Sequence, residues 1–327
     1  MNKPLRFSAN INTFNACADR YVLSGYGERM NTDQLIEAAT QVEGLTGVEV
    51  VGMWHVNDGN VDKIRRQIGE AGLEVTCVTP DIWASSKWGR GSFTSRDPKI
   101  RREAIQEVKR SMEWARQLNC EVVDLWFGQD GYDYPFQGDF TNAWDLLIEG
   151  TMECAEHLPE IKIVLEYKPK EPRTHCYVAT VGKTLLLIDK VNKPNVGAMI
   201  DVGHALQGYE SPAESAALLQ HFGNKLFYMH FNDNWRMWDD DMTVGSVHTI
   251  ETLELLYWLD RVDYGGWYAL DIFPYRENGI RAASESIRWI QGLHGVLERI
   301  GKERFDTVVE GGEAMDASAL LREAFLG

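Results

Sequence analysis

The stretch IKIVLE, residues 161–166, is a short apolar run that ends in a single carboxylate, Glu166. Three later runs share this pattern and end in an acid or an imidazole: VGAMID in Asp201, LFYMH in His230 and WYALD in Asp271. The carboxyl ends of neighbouring parallel strands in a barrel meet at one rim, so we expect these four side chains to converge on one point. Three carboxylates and one imidazole are typical of a site for a divalent cation.

Short apolar runs alternate with longer amphipathic stretches through nearly the whole chain, which is the pattern of repeated βα units. Helical stretches such as DQLIEAATQVEG and VDKIRRQIGEAG carry apolar residues at three and four spacing and end in glycine. The predicted strands cover residues 6–11, 47–51, 73–79, 121–127, 161–166, 196–201, 226–231 and 267–272. Eight strands in this order predict an α/β fold of the (β/α)8 TIM barrel type.

No Pro-rich or low-complexity segment divides the chain, so we expect one barrel domain over residues 1–300. The helix of the eighth unit is predicted near 282–299. A C-terminal extension, residues 301–327, follows it and ends in the amphipathic stretch DASALLREAFL. The extension is either a cap on the barrel or an arm that docks on a neighbouring subunit.

The composition is that of a globular protein with an ample core, since 44% of the 327 residues are apolar and 25% are charged. A net charge of −16 disfavours nucleic acid as a partner, because phosphate contacts need clustered Lys and Arg. No apolar run approaches the length of a membrane span and no leader is evident, so a cytoplasmic location is the default expectation. The five cysteines are scattered and indicate reduced thiols.

A second set of polar residues is interleaved with the first. His204 lies three residues beyond Asp201, and Asp239 and Asp241 follow His230 on a loop-like segment. Asp201 could therefore bridge two cations, the first held with Glu166, His230 and Asp271 and the second with His204, Asp239 and Asp241. Oxygen ligands with one imidazole per site favour Mn²⁺ first, with Mg²⁺ or Co²⁺ as alternatives, over Zn²⁺. Taken alone, the acidic run 239–241 is more typical of a solvated turn.

Two further residues suggest what such a site would do. Lys168 lies two residues past Glu166, so it should point the same way and bring an ammonium group that can polarise a carbonyl oxygen. Trp126 closes the fourth strand and would form an apolar wall, although a lone Trp more often serves the core. His55 and His248 stand in loop-like settings that fit the surface and the site equally well.

The segment IKIVLEYKPKEPRTHCYVATVG, with Glu171, Pro172 and Arg173, resembles the metal-and-lysine strand of xylose isomerases. WGRGSFTSRDPKIRREAIQEV and LWFGQDG resemble the same family, and the likeness covers about residues 75–275. MHFNDN followed by DDDMTVGS is closer to rhamnose isomerases, in which a histidine occupies the ligand position of strand seven.

This resemblance implies roles for the residues already singled out. Glu166, Asp201, His230 and Asp271 fall on a structural metal site, and Asp201, His204, Asp239 and Asp241 fall on a catalytic one. Lys168 falls on the lysine that contacts the sugar carbonyl oxygen, and Trp126 on the tryptophan of the substrate pocket. The ring-opening histidine and its partner acid have only an approximate counterpart in His55 and Asp58. The resemblance also implies a homodimer or homotetramer.

The sequence therefore predicts a metal-dependent aldose–ketose isomerase that acts on an unphosphorylated monosaccharide by a metal-mediated 1,2-hydride shift. We expect Lys168, Asp239 and His204 to be catalytic, and Trp126, Lys168 and His55 to contact the sugar. A ketose 3-epimerase or related lyase of the same superfamily and a non-catalytic sugar-binding barrel are the alternatives. An endonuclease of the abasic-site type is disfavoured, since its histidine-rich zinc cluster is missing and the net charge would repel DNA.

Overall fold

The computed structural model of the chain describes residues 4–171 and 173–327, so residues 1–3 and Pro172 of the quoted motif lie outside the described residues. Eight parallel strands form a closed barrel in which the first strand pairs with the last. They are β1 Arg6–Asn10, β2 Leu45–Val51, β3 Glu74–Thr79, β4 Val122–Trp126, β5 Lys162–Glu166, β6 Val196–Asp201, β7 Leu226–Phe231 and β8 Trp267–Leu270. The prediction of a TIM barrel is confirmed, and every predicted strand is present within a few residues of its expected bounds.

Helices follow the strands and cover the outside of the barrel. They are α1 Thr32–Thr40, α2 Val61–Glu70, α3 Pro98–Gln117, α4 Phe140–His157, α5 Val181–Val191, α6 Val202–Gln207, α7 Pro212–His221, α8 Thr249–Arg261 and α9 Gly279–Ile300. Local sequence explains where they begin: Asp97 accepts a hydrogen bond from Lys99 N at the start of α3, and Pro98 occupies the first turn. The main core lies between these helices and the sheet.

A smaller apolar cluster fills the inside of the barrel, and it sets the direction of the rim residues. Val164, Met199, Tyr228 and Ala269 belong to this cluster. Each lies two residues before one of the polar residues that end the four runs. Because side chains alternate along a strand, the four rim residues point toward the barrel axis above this layer.

The C-terminal extension packs against the barrel of its own chain. It forms α10, Lys302–Gly311, and α11, Ala314–Leu326. Phe305 is buried with its ring centroid 5.7 Å from that of Tyr257 in α8. Arg299 Nη2 donates to Ala324 O at 2.6 Å, which ties α11 to the end of α9.

All five cysteines are buried and free of disulfides, in agreement with the expected reduced thiols. None of the helices in the described part of the chain is long and apolar enough to cross a membrane.

Candidate metal centre

The four residues that end the apolar runs meet at the carboxyl end of the barrel. Glu166, Asp201, His230 and Asp271 each offer a ligand atom, and these atoms all lie within 4.8 Å of one another. His230 Nδ1 is central: it lies 3.2 Å from Glu166 Oε1 and 3.8 Å from both Asp201 Oδ2 and Asp271 Oδ2. The four side chains therefore lie close together, as the sequence predicted.

A second group shares Asp201 with the first. Asp201, His204 and Asp239 place one ligand atom each within 4.8 Å of the others. Asp201 ends β6 and caps α6, since its Oδ1 accepts from His204 N at 2.8 Å. This tight turn returns the imidazole to the rim, where His204 Nε2 lies 3.2 Å from Asp239 Oδ2.

The loop between β7 and α8 brings Asp239 into the site, and a buried carboxylate organises that loop. Asp233 accepts hydrogen bonds from the backbone N–H groups of Val247 and His248, at 2.8 and 2.9 Å. Its Oδ1 also lies 2.8 Å from His248 Nδ1. Asp239 and Asp241 line the cavity, so the run 239–241 is more than a solvated turn. His248 contacts Asp233 and lies outside the residues that line the cavity.

Lys168 lies beside the second group with its ammonium buried. Its Nζ lies 2.7 Å from Asp239 Oδ2 and also donates to Glu171. The same ammonium lies 5.1 Å from the centre of the Trp126 ring, within the range of a cation–π contact. Lys168 and Trp126 thus face the same cavity as the two ligand groups, as the sequence predicted.

Two predicted residues are placed differently. Asp241 lines the cavity and lies 3.5 Å from Asn232 Nδ2, but its carboxylate belongs to neither group of converging ligand atoms. His55 is buried beside the cavity and accepts a hydrogen bond at Nδ1 from Val51 N at 2.9 Å. Asp58, its expected partner acid, instead accepts from Trp114 Nε1 at 2.7 Å, because β2 is followed by a turn that separates the two residues.

The acids that face one another hold their protons more tightly than free side chains. Burial raises the pKa of Asp271 to about 7 and that of Asp201 to about 6, with Glu166 acting in the same direction on both. Burial also raises the pKa of Asp241, beside Asp239 and Asp271. The cavity therefore holds more negative charge than it can keep without a counter-ion.

Where a carboxylate lies beside an imidazole or the lysine, the opposite charges favour the charged form of both groups. Burial alone would raise the pKa of Glu166, but His230 and His204 outweigh it and lower the value to about 2. Burial would lower the pKa of His204, and the Asp201 and Asp239 carboxylates raise it to about 9. The pKa of Lys168 is raised by Asp239 and Glu171 in spite of burial, so the ammonium is charged.

The donor set fits divalent cations. The two groups offer carboxylate oxygens and one imidazole nitrogen each, which suit hard or borderline ions. Asp239 Oδ1 is buried and has no hydrogen-bond partner, so an acceptor atom is left over in the second group. Cations at these positions would relieve both the clustered charge and this unpaired oxygen.

The cavity in front of the two groups has a volume of about 450 Å³. Its lining includes both carboxylates and indole rings. Trp83 packs edge to face against Trp126 at 5.2 Å between ring centres, and Trp54 lies 6.0 Å beyond Trp83. The three indole rings form an apolar part of the cavity lining.

Several residues of the site were not predicted from the sequence. Asn232 donates to Asp201 Oδ2 at 2.8 Å, and Asn10 donates to Asp271 Oδ1 at 3.1 Å. Glu49 contacts His230 from inside the barrel. Their positions in the sequence could have indicated them. Asn10 ends a strand, Asn232 lies two residues past His230, and Glu49 is a charged residue within the apolar run VEVV.

The Xylose isomerase-like TIM barrel family matches residues 36–293 of the chain. A xylose isomerase from Thermus thermophilus is 27% identical over 270 residues, which are 80% of this chain and 66% of that protein. The chain thus spans slightly less than two thirds of that relative's length.

Among solved structures, a D-tagatose 3-epimerase-like protein has a TM-score of 0.68 at 19% identity and covers 90% of this chain and 99% of its own. A D-allulose 3-epimerase from Methylomonas sp. has a TM-score of 0.68 at 15% identity, covering 90% of this chain and 100% of its own. These likenesses concern the fold. The match over residues 36–293 carries the assignment, and the chain belongs to the xylose isomerase-like TIM barrel family.

Proposed function

We propose that this protein is a metal-dependent aldose–ketose isomerase acting on an unphosphorylated monosaccharide. The observation that carries the proposal is the position of a charged lysine beside two ligand groups that share Asp201. Metal groups alone would fit many reactions of this fold. A buried ammonium directed at the same cavity adds the means to polarise a carbonyl oxygen.

Glu166, Asp201, His230 and Asp271 would hold one cation, and Asp201, His204 and Asp239 would hold a second, with Asp241 beside it. Mn²⁺ suits this donor set best, with Mg²⁺ or Co²⁺ as alternatives. When bound, such cations act as Lewis acids toward the hydroxyl and carbonyl oxygens of a sugar.

Lys168 would bind the carbonyl oxygen of the open-chain sugar. An ammonium group has three N–H donors, and Asp239 and Glu171 accept from it here. One donor is left for a ligand in the cavity that Lys168 lines. The two carboxylates keep the ammonium in place and charged, so it is ready before substrate binds.

Asp239 and His204 would handle the hydroxyl proton. Asp239 Oδ1 is the unpaired acceptor that a sugar hydroxyl or a water molecule can donate to. Its other oxygen is held by Lys168 and His204, which fixes the direction of the free one. The Trp126 and Trp83 rings would cover the carbon side of the sugar and keep water from the reacting carbons.

Two features favour isomerisation over 3-epimerisation. An epimerase that exchanges protons on both faces of a carbon needs an acid or base on each side, and the fourth rim ligand, Asp271, is short for that task. Lys168 and the second ligand group would also have no part in that reaction. An unphosphorylated sugar fits better than a phosphate ester, since the cavity is rich in carboxylates that would repel a phosphate group.

A panel of aldoses and ketoses, including pentoses, hexoses and deoxy sugars, tests the proposal. The metal-stripped protein would be assayed with Mn²⁺, Co²⁺ or Mg²⁺ and with EDTA. We expect interconversion of at least one aldose–ketose pair that requires added metal. Sugar binding without turnover in the presence of every metal would instead support a binding module, and turnover in EDTA would contradict metal dependence.

A further inference from the structure

Glu49 is a carboxylate inside the barrel that the proposed reaction does not use. It lies in the middle of β2 and its residue is only 2% exposed. A charged group at such a position is costly unless it is fully paired. We therefore expect both carboxylate oxygens of Glu49 to have hydrogen-bond partners.

Both oxygens are hydrogen-bonded. Glu49 Oε2 lies 3.0 Å from His230 Nε2, and Glu49 Oε1 accepts from Tyr228 Oη at 2.8 Å. Tyr228 Oη is also 2.8 Å from Thr76 Oγ1, which in turn lies 2.6 Å from Ser8 Oγ. A chain of hydrogen bonds thus runs from the interior of the barrel up to the imidazole of the first ligand group.

The two nitrogens of His230 face opposite ways. Nδ1 is the atom directed at Glu166, Asp201 and Asp271, while Nε2 is directed at Glu49. A neutral imidazole has one N–H donor and one lone pair. A cation among the rim acids needs the lone pair on Nδ1, so the proton must be on Nε2, where only a hydrogen-bond acceptor can stabilise it.

We propose that Glu49 is a positioning residue that fixes the tautomer and ring orientation of His230 and thereby sets the affinity of the first metal group. The inference rests on the metal site of the proposed function. A carboxylate behind a ligating histidine raises the basicity of the ligand and holds its ring, and loss of such a partner costs about 10- to 100-fold in metal affinity. Glu49 Oε2 contacts His230 Nε2, and Glu49 is not among the described residues whose ligand atoms converge.

Metal-stripped protein titrated with Mn²⁺ by calorimetry tests this role. Glu49→Leu removes the acceptor and should weaken the first site by about 10- to 100-fold. Glu49→Gln keeps an acceptor oxygen and should recover most of that loss. Thr76→Val breaks the hydrogen-bond chain beyond Tyr228 and leaves the contact between Glu49 and His230 in place, so it is the matched control and should bind Mn²⁺ as the parent does.

A spectroscopic readout separates positioning from a general structural effect. In the Mg²⁺-loaded parent labelled with ¹⁵N-histidine, His230 should carry its proton on Nε2 alone, and Glu49→Leu should need about 10- to 100-fold more Mg²⁺ to reach the same state. A proton on Nδ1 in the loaded parent would overturn the inference even if Glu49→Leu did not fold. Equal Mn²⁺ affinity of the parent and Glu49→Leu would also overturn it, whereas a parent that binds no Mn²⁺ would contradict the proposed function itself.

Discussion

Lys168 Nζ lies 2.7 Å from Asp239 Oδ2, so the group assigned to the substrate carbonyl is tied directly to a ligand of the second metal group. Lys168→Met should keep the hydrocarbon stem against Trp126 and remove only the ammonium. We expect kcat to fall by roughly 10²- to 10³-fold, as for the loss of an electrostatic donor at a reacting oxygen. Lys170→Met, at the edge of the same cavity, is the control and should change kcat little. Similar activity of Lys168→Met and the parent would remove the lysine from the mechanism.

Substitution of Asp201 should affect both proposed metal sites, whereas substitution of Asp239 should affect only one. We expect the parent to bind two Mn²⁺ per chain, since its two groups meet at Asp201. Asp239→Asn should bind one Mn²⁺ tightly, because only the second group loses a ligand. Asp201→Asn should weaken both sites. Calorimetric stoichiometry and elemental analysis would measure this, and two full-affinity sites in Asp201→Asn would refute the shared-ligand arrangement.

Metal affinity should depend on pH through the rim acids. Burial raises the pKa of Asp271 to about 7 and that of Asp201 to about 6, so below these values the metal-free site holds protons that a cation must displace. The affinity for Mn²⁺ should therefore fall as pH drops from 8 through 7 and 6, by about tenfold per pH unit for each proton displaced.

Calorimetry in buffers of different ionisation enthalpy should show proton release on Mn²⁺ binding at pH 6. Affinity that is constant between pH 6 and 8 would mean that these acids are not ligands.

Asn12 and His55 should act together on substrate binding. Since Val51 N–H donates to His55 Nδ1, the His55 proton is on Nε2 and points at Asn12 Oδ1, 3.2 Å away. This contact orients the Asn12 amide so that its NH₂ group is left for a ligand in the cavity that Asn12 lines. Burial lowers the pKa of His55 to about 4, so the imidazole ring is neutral near pH 7.

Asn12→Ala should raise KM about tenfold, the cost of one lost hydrogen bond. His55→Leu should have a smaller effect in the parent and almost none when Asn12 is already alanine, which a double-mutant cycle measures. Additive effects of the two substitutions would instead support direct contact between His55 and the sugar, as the sequence predicts.

The strand ends explain why so much of the arrangement could be predicted from the sequence. Glu166 and Asp201 close buried apolar strands, His230 lies one residue before the end of its strand, and Asp271 follows its strand directly. The closure of the barrel alone therefore brings them together. The place of His204 follows from the same strand end, because Asp201 caps the short helix α6 and His204 lies in its first turn.

Residues whose place depends on three-dimensional packing could not be predicted in this way. Asp239 and Asp241 both follow His230 and both line the cavity, yet of the two only Asp239 joins a group of converging ligand atoms, which their spacing in the sequence does not distinguish. The contact of Glu49 with His230 spans the barrel interior, between strands far apart in sequence. His55 and Asp58 were paired by spacing, but the turn after β2 directs them to different partners.

The fate of the hydrogen at C2 tests the central proposal most directly. An aldose that the metal-loaded protein converts would be supplied with deuterium at C2, and the ketose would be analysed by NMR after reaction in ordinary water. Isomerisation by transfer between C2 and C1 should leave the deuterium in the product at C1. Loss of the label to solvent, with deuterium entering at carbon when the unlabelled sugar reacts in D₂O, would show proton transfer and contradict the account.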